Sequence, residues 1–242
     1  LGDARWGRAV RHRRPVQVAL RSRTAYKVHG VFIPSMNFQK LQILSATAIL
    51  ALLAGCSTSA PVEKKPAKPI VPVTGRSAAF EMYKTARSWN NDALLLRLEN
   101  MDIPEAKAEG GKYGAWKATF VSPSKKVKRE FTYSVAESSA GVHKGVFPGS
   151  ESAYMANTQN RTFSISDVKI DTPEAVENAK KQKDIGEFAD KHADLPVQFV
   201  LEWNMQLAPK AAWRVFWGAT ISTSQASVFI DAEEGKFLKK LR

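Results

Sequence analysis

The sequence predicts an α+β fold: two units, each a helix packed on an antiparallel sheet, following a signal peptide and a proline-rich tether. Three observations predict it. Stretches such as "AWKATFV" (Ala115–Val121) and "VKREFTYSV" (Val127–Val135) alternate apolar and polar residues over strand lengths. Other stretches space apolar residues at helical intervals. The order of one helix and then three strands also occurs twice, in register at a separation of 97 positions.

The front of the chain stands apart from this pattern. Of the formal charge of +13, residues 1–35 hold a net +7, from seven Arg and Lys27 against Asp3. From Cys56 onward the net is only +5. The basic character that would suggest a nucleic-acid partner therefore sits outside the folded part, and no nucleic acid is expected. Residues 1–35 show no sustained period and end just before Met36. The expectation is an upstream extension miscalled as protein, the alternative being a long basic leader.

Met36–Lys40 is a short basic start, and "LQILSATAILALL" (Leu41–Leu53) is uncharged and mostly apolar. At 13 residues it suits a signal peptide and falls short of the ~20 that span a membrane. Leu53, Ala54, Gly55 and Cys56 follow, with Cys56 the only cysteine in the chain. In composite, residues 36–55 and Cys56 resemble the signal of bacterial lipoproteins. That resemblance implies cleavage before Cys56, acylation of its sulfur and new amino terminus (palmitate among the acyl chains), and a lipid-bilayer partner. Each buried CH₂ contributes about 0.8 kcal/mol, so several chains anchor stably where one is marginal. Ser57, rather than Asp, implies the periplasmic side of the outer membrane in a Gram-negative host. A core helix ending in a structural cysteine would not run straight into a Pro/Lys-rich tract. Residues 56–75 form that tract, with four prolines between Ser57 and Gly75. Such a linker extends by ~3.1 Å per residue.

The first unit is expected over residues 76–165. Phe80, Tyr83, Ala86 and Trp89 predict a helix over about 77–92. "ALLLRLENM" either extends it or begins a strand. The two alternating strands follow, joined by a turn at Ser122–Lys126, and then a polar loop near 137–162. The second unit, residues 166–242, begins near the alternating "RTFSISDVKI", which predicts a strand. A helix opens at "DTPEAVENAKK", with Asp171 or Thr172 as cap and Pro173 in the first turn. More helix to about Ala193 and the strands "VQFVLEWNM", "AAWRVFW", "SQASVFIDA" and "EEGKFLKKL" complete it.

At the 97-residue offset Trp116 falls on Trp213, and Phe131, Tyr133 and Val135 fall on Val228, Ile230 and Ala232. Leu98-Glu99 meets Leu201-Glu202 if the first hairpin is six residues longer. Trp116 and Trp213 are expected at equivalent core sites. Trp217, one pleat beyond, is the candidate for a contact surface, with a core position as the alternative. Ala212–Lys240, with its turn Asp231–Lys236, resembles the PepSY domain, as does Asp167–Ala179 at the strand-to-helix entry. Residues 221–224, a polar turn, depart from that pattern. The resemblance implies a helix on an antiparallel sheet and protein binding, including modulation of proteases.

Catalytic patterns are weak. His143 and His192 lie too far apart in sequence for a short-spacing metal motif. Ser122-x-x-Lys125 has the spacing of serine acyl-enzymes but sits in a predicted turn. Asn160-Arg161-Thr162 has sequon spacing, and Asp231, Glu233 and Glu234 read as a solvated turn. The expectation is a non-enzymatic envelope lipoprotein with no cofactor and no metal, binding another envelope protein or a peptide. A small-ligand or lipid carrier is the alternative.

Overall fold

A computed structural model describes residues 69–242. The expected extension, the signal peptide with Leu53, Ala54, Gly55 and Cys56, and most of the tether lie outside the described residues. In chain order the elements are β1 (Val73–Thr74), α1 (Gly75–Trp89), β2 (Leu94–Met101), β3 (Lys112–Tyr113), β4 (Ala115–Ser122), β5 (Val127–Ser134), β6 (Gly145–Ala153) and β7 (Asn160–Arg161). A 3-10 turn (Ile165–Asp167) leads to α2 (Thr172–Lys180), α3 (Lys183–Lys191), β8 (Val197–Asn204), β9 (Ala212–Trp217), β10 (Ala226–Asp231) and β11 (Phe237–Lys240). The large sheet runs β11-β10-β9-β8-β2-β4-β5-β6, antiparallel at each pairing, with β7 joined to the end of β8. The fold is thus α+β, with few helices and one dominant sheet.

α1 begins at Gly75, two residues before the expected start, and two of the helices have side-chain caps, while α3 begins after Gln182 without one. Thr74 accepts from Ser77 N at 3.4 Å, and Asp171 accepts from Thr172 N at 2.8 Å with Pro173 in the first turn. Asp171 Oδ1 also accepts from Arg76 N at 3.0 Å, so one carboxylate serves the starts of both α1 and α2. The buried stripe of α1 is Ala78, Ala79, Met82 and Ala86, small side chains that let the helix lie close to the sheet. Phe80, expected on that stripe, is partly exposed instead. α1 ends at Asn90, whose φ of −147° is extended, and the chain then enters β2. "ALLLRLENM" is therefore a strand.

Two further expectations are corrected. The stretch read as loop contains β6, a nine-residue edge strand whose side chains are mostly exposed. With no buried face it has no alternation to read. "RTFSISDVKI" is not a strand: after β7 only Phe163 bridges to Leu95, and Ser164 then caps the 3-10 turn. Its apolar residues Phe163, Ile165, Val168 and Ile170 are all buried. The alternation there records burial of an irregular segment.

The β4–β5 and β9–β10 ladders share one register. Trp116 pairs with Tyr133 and Trp213 with Ile230; Ala115 pairs with Ser134 and Ala212 with Asp231. Trp116 and Trp213 are both fully buried, and their indole N–H groups donate to Val73 O (3.0 Å) and Ile170 O (2.8 Å). Gly75 N donates to Thr172 Oγ1 at 3.1 Å, across 97 positions. On the neighbouring strands the offset differs from expectation. Trp116 faces Asn100 and Trp213 faces Leu201, 101 positions apart, so the first hairpin is longer by four residues rather than six. Leu98 and Leu201, expected to correspond, are instead direct ladder partners.

Helices cover one face of the sheet, where Trp116, Trp213, Trp217, Phe120, Phe131 and Phe199 are enclosed. Parts of the other face are covered by loops and the C-terminal end: Ile103 and Ala106 pack over Ala115, and Leu207 and Ala208, with Leu238 of β11 and Leu241, pack around Ala212 and Phe229.

Candidate functional site

Between those two covered regions the outer face of the sheet stays open. β2 and β8 form the seam, paired at only three positions: Arg97 with Glu202, Leu98 with Leu201, and Glu99 with Val200. Beyond Glu99 a side chain takes over the role of the ladder, because Asn100 Oδ1 accepts from Phe199 N at 2.7 Å. Asn100 Nδ2 donates to Gln198 Oε1, and Gln198 Nε2 donates to Asp102 at 3.0 Å. The Tyr113 hydroxyl donates to Val197 O, and burial pushes that phenol above its ordinary range. Beside this seam lies a groove of about 420 Å³, floored by Glu99, Gln198, Val200 and Phe216 and walled by Ala219–Ser222.

Strand alternation directs Arg97 and Glu99 outward together, and cross-strand pairing brings Glu202 and Lys117 beside them. Arg97 reaches Glu202 at 2.8 Å and Glu99 at 3.1 Å, while Lys117 reaches the other oxygen of Glu99 at 2.8 Å. Burial raises the Glu99 pKa, but the hydrogen bond from Lys117 and the charge of Arg97 outweigh it and hold the carboxyl below its usual range. The hydrogen bond to Glu99 raises Lys117 in turn.

Arg214 extends this row on β9, with Val200 and Phe229 as its ladder partners. It is 9% exposed, its Nε donates to Ser227 Oγ at 2.9 Å, and its guanidinium carbon lies 5.7 Å from the Phe229 ring centre. Sequence reading overlooked this residue. The available signal was an arginine inside "AWRVFW", a strand buried on both faces.

The residues singled out from sequence lie elsewhere. Trp217 is not a contact surface: it is 1% exposed, on the helix-covered side of β9 among Val197, Val215 and Ala226. The pleat that carries Trp213 inward carries Trp217 inward as well. Ser122 is fully buried and donates to Asp92 Oδ1 at 2.7 Å; Lys125 meets it only through its backbone N. His143 contacts Glu137 at 2.6 Å, and His192 stacks on Phe188. Asn160 begins β7. Asp231 is a buried turn acceptor for Glu233 N (2.8 Å) and Glu234 N (3.1 Å), paired with Lys210 at 2.7 Å. Among the described residues no group of His, Cys, Asp and Glu is placed to hold a metal ion, and no helix is long and apolar enough to cross a membrane.

No family model matches the chain, and no curated protein is similar to it at a significant level. Among solved structures it is similar to a candidate lipoprotein from Clostridium difficile, at 9% identity and a TM-score of 0.39, over 67% of this chain and 91% of that one.

Proposed function

We propose that this chain is a lipid-anchored protein of the cell envelope whose α+β domain binds a protein or peptide partner without catalysis, built from two PepSY-like units. Cys56 carries the anchor, and the tether holds the domain away from the bilayer. The observation that carries the binding reading is the open groove beside the β2–β8 seam, lined by Arg97 and Glu99, near the middle of the sheet. Its volume falls in the ~300–1,000 Å³ range of ligand sites. The shared ladder registers and the paired indole hydrogen bonds support the two-unit reading.

An exposed edge is the other route by which such a sheet takes a partner strand. β6 carries Pro148, which has no N–H to offer, and a register irregularity opposite Arg129 and Phe131. Both features discourage edge pairing, so the groove is the favoured site. The carrier alternative needs space between helices and sheet, where three tryptophans and the phenylalanines of the core pack.

Two measurements test the proposal. Metabolic labelling with a palmitate analogue should mark the wild-type chain and leave Cys56→Ser unmarked; an unlabelled wild type defeats the anchor. A photocrosslinker at Ile221, in the groove wall, should capture one specific envelope protein or peptide from intact cells. A crosslinker at exposed Lys84 on α1 should not, and equal capture from both positions defeats the groove as the site.

A further inference from the structure

The β4–β5 hairpin ends in charge that its fold does not require. The turn holds Lys125 and Lys126, both exposed, and Lys128 follows on β5 opposite Ser152. At the 97-residue offset these positions are Ser222, Thr223 and Gln225 of the β9–β10 hairpin. The two hairpins match in length, since Phe120 pairs with Arg129 where Trp217 pairs with Ala226. One therefore closes with uncharged residues and its counterpart with three lysines. Lys126 also has a φ of 55°, a left-handed conformation that favours glycine, and among the described residues no other side chain is held there.

None of the three ammonium groups pairs with a carboxylate among the described residues. The lysines around the β10–β11 turn do: Lys169 meets Glu233, Lys210 meets Asp231, Lys236 meets Glu234 and Lys240 meets Asp184. The acid that faces the β4–β5 turn is Asp92, whose oxygens accept from Ser122 Oγ at 2.7 Å and Ser124 N at 2.9 Å. Glu130 lies two residues beyond Lys128, away from the turn, and Glu151 is opposite Arg129 and accepts from Trp89 Nε1 at 2.7 Å. The tip itself thus sets three lysines against Asp92. Beside it the chain leaves β6 with an exposed apolar side chain: Tyr154 N donates to Lys126 O at 2.8 Å, and the next residue, Met155, is 87% exposed.

We propose that this tip is a second membrane contact, in which Lys125, Lys126 and Lys128 meet anionic phospholipid headgroups and Met155 enters the interface. It rests on the lipid-anchor reading above, which keeps the domain beside a bilayer, and adds the surface that the domain turns toward it. Lysines around an exposed apolar side chain suit such an interface, where the charge stays with the headgroups and the apolar group reaches the acyl boundary. The tether joins the domain at Val73, against Trp116 at the other end of β4. Six strand residues put that point about 20 Å from the turn, and an extended tether of this length reaches on the order of 50 Å, enough to let the tip meet the bilayer.

The test uses protein purified from its own membranes, in nanodiscs of phosphatidylcholine alone or of equimolar phosphatidylcholine and phosphatidylglycerol. With Cys56 acylated, Ala156→Cys supplies one thiol for a polarity-sensitive dye beside Met155. In the mixed discs its emission should shift to the blue and be quenched by spin-labelled lipid. Both effects should fade in phosphatidylcholine alone and as salt rises. Lys125→Gln or Lys126→Gln should each lower the contact about fivefold, the equivalent of ~1 kcal/mol. Lys126→Gly should lower it as far without lowering the melting temperature, because glycine suits the turn. The same dye at Ala140, in the loop after the far end of β5, should report no contact. No response at residue 156, equal responses in the two discs, a response that ignores both lysines, or one at residue 140 instead overturns the inference and leaves the anchor standing. A wild-type chain that takes the dye at Cys56 defeats the anchor, and this contact with it.

Discussion

Gly75→Ala is the sharpest test of how the two helix starts meet. A Cβ at Gly75 would lie 2.7 Å from Trp213 Cη2, 2.9 Å from Thr172 Cγ2 and 3.0 Å from Trp116 Cη2. None of these neighbours can retreat easily. Both indoles are fully buried and tied by their N–H groups to Ile170 O and Val73 O, and Thr172 is fully buried with its hydroxyl donating to Gly111 O at 2.6 Å. Overpacking one methyl into such a site costs about 1–3 kcal/mol. Against it stands the helical preference for Ala over Gly, at most ~1 kcal/mol and less at a first helical residue. The expected net is a destabilisation of ~1–2 kcal/mol, or a fall in Tm of roughly 2–4 °C per kcal/mol for a domain of this size. Urea unfolding followed by tryptophan fluorescence measures it. Thr172→Ser removes Cγ2 and keeps the oxygen that accepts from Gly75 N, so it makes room for the new methyl. The double variant should be more stable than the sum of the singles by at least ~0.5 kcal/mol. A neutral or stabilising Gly75→Ala, or strict additivity, would refute the close approach of α1, α2 and the two tryptophans.

Three other outcomes follow from named contacts. Asp171→Ala removes the acceptor for Arg76 N and Thr172 N together, and should cost more than the ~1 kcal/mol of an ordinary cap, with Asp171→Asn recovering part of it in thermal melts. The hydrogen bonds from Ser122 and Ser124 hold the Asp92 carboxyl at about 2, against an ordinary 3.8. Its contribution is therefore present above about pH 4 and lost as pH falls toward 2, and the stability gap between wild type and Asp92→Asn should close over that window in acid titrations. Asp231→Ala removes the acceptor of two turn N–H groups and one of the two carboxylates that hold Lys210, Glu234 being the other at 3.1 Å; a loss of about 1–3 kcal/mol is expected in urea, and a loss under 0.5 kcal/mol would contradict the turn described.

Legibility in the sequence tracked burial on one face. β4 and β5 were readable because Trp116, Ala118 and Phe120 point inward while Lys117 and Thr119 point outward. The same rule hid β6, which buries almost nothing, and misplaced a strand on Phe163–Ile170, where alternate residues are buried without a ladder. β9 and β10 are buried on both faces, so their outward residues carried no polar mark apart from Arg214, Ser227 and Asp231. The face of Trp217 is legible only through its spacing of four residues from Trp213, which the pleat carries to the same side.

The seam between β2 and β8 ties stability to binding. Only three residue pairs join these strands, so side chains carry much of the junction: Arg97 to Glu202, Asn100 to Phe199, and Gly75 to Thr172 on the helix face. The outer face beside the seam stays charged because the residues that strand alternation turns outward there are Arg97, Glu99 and Glu202. The short seam leaves Arg97 and Glu99 partly exposed beside Val200, and Arg214 lies one strand further on. A partner that seats beside this junction and recognises only the folded sheet stabilises the domain by linkage in proportion to its affinity. The partner captured by the crosslinker at Ile221 should therefore raise the melting temperature of the wild type when added in excess. A captured partner that binds without shifting the wild-type melt would have to bind folded and unfolded chains alike, which a site assembled from β2, β8 and β9 cannot do.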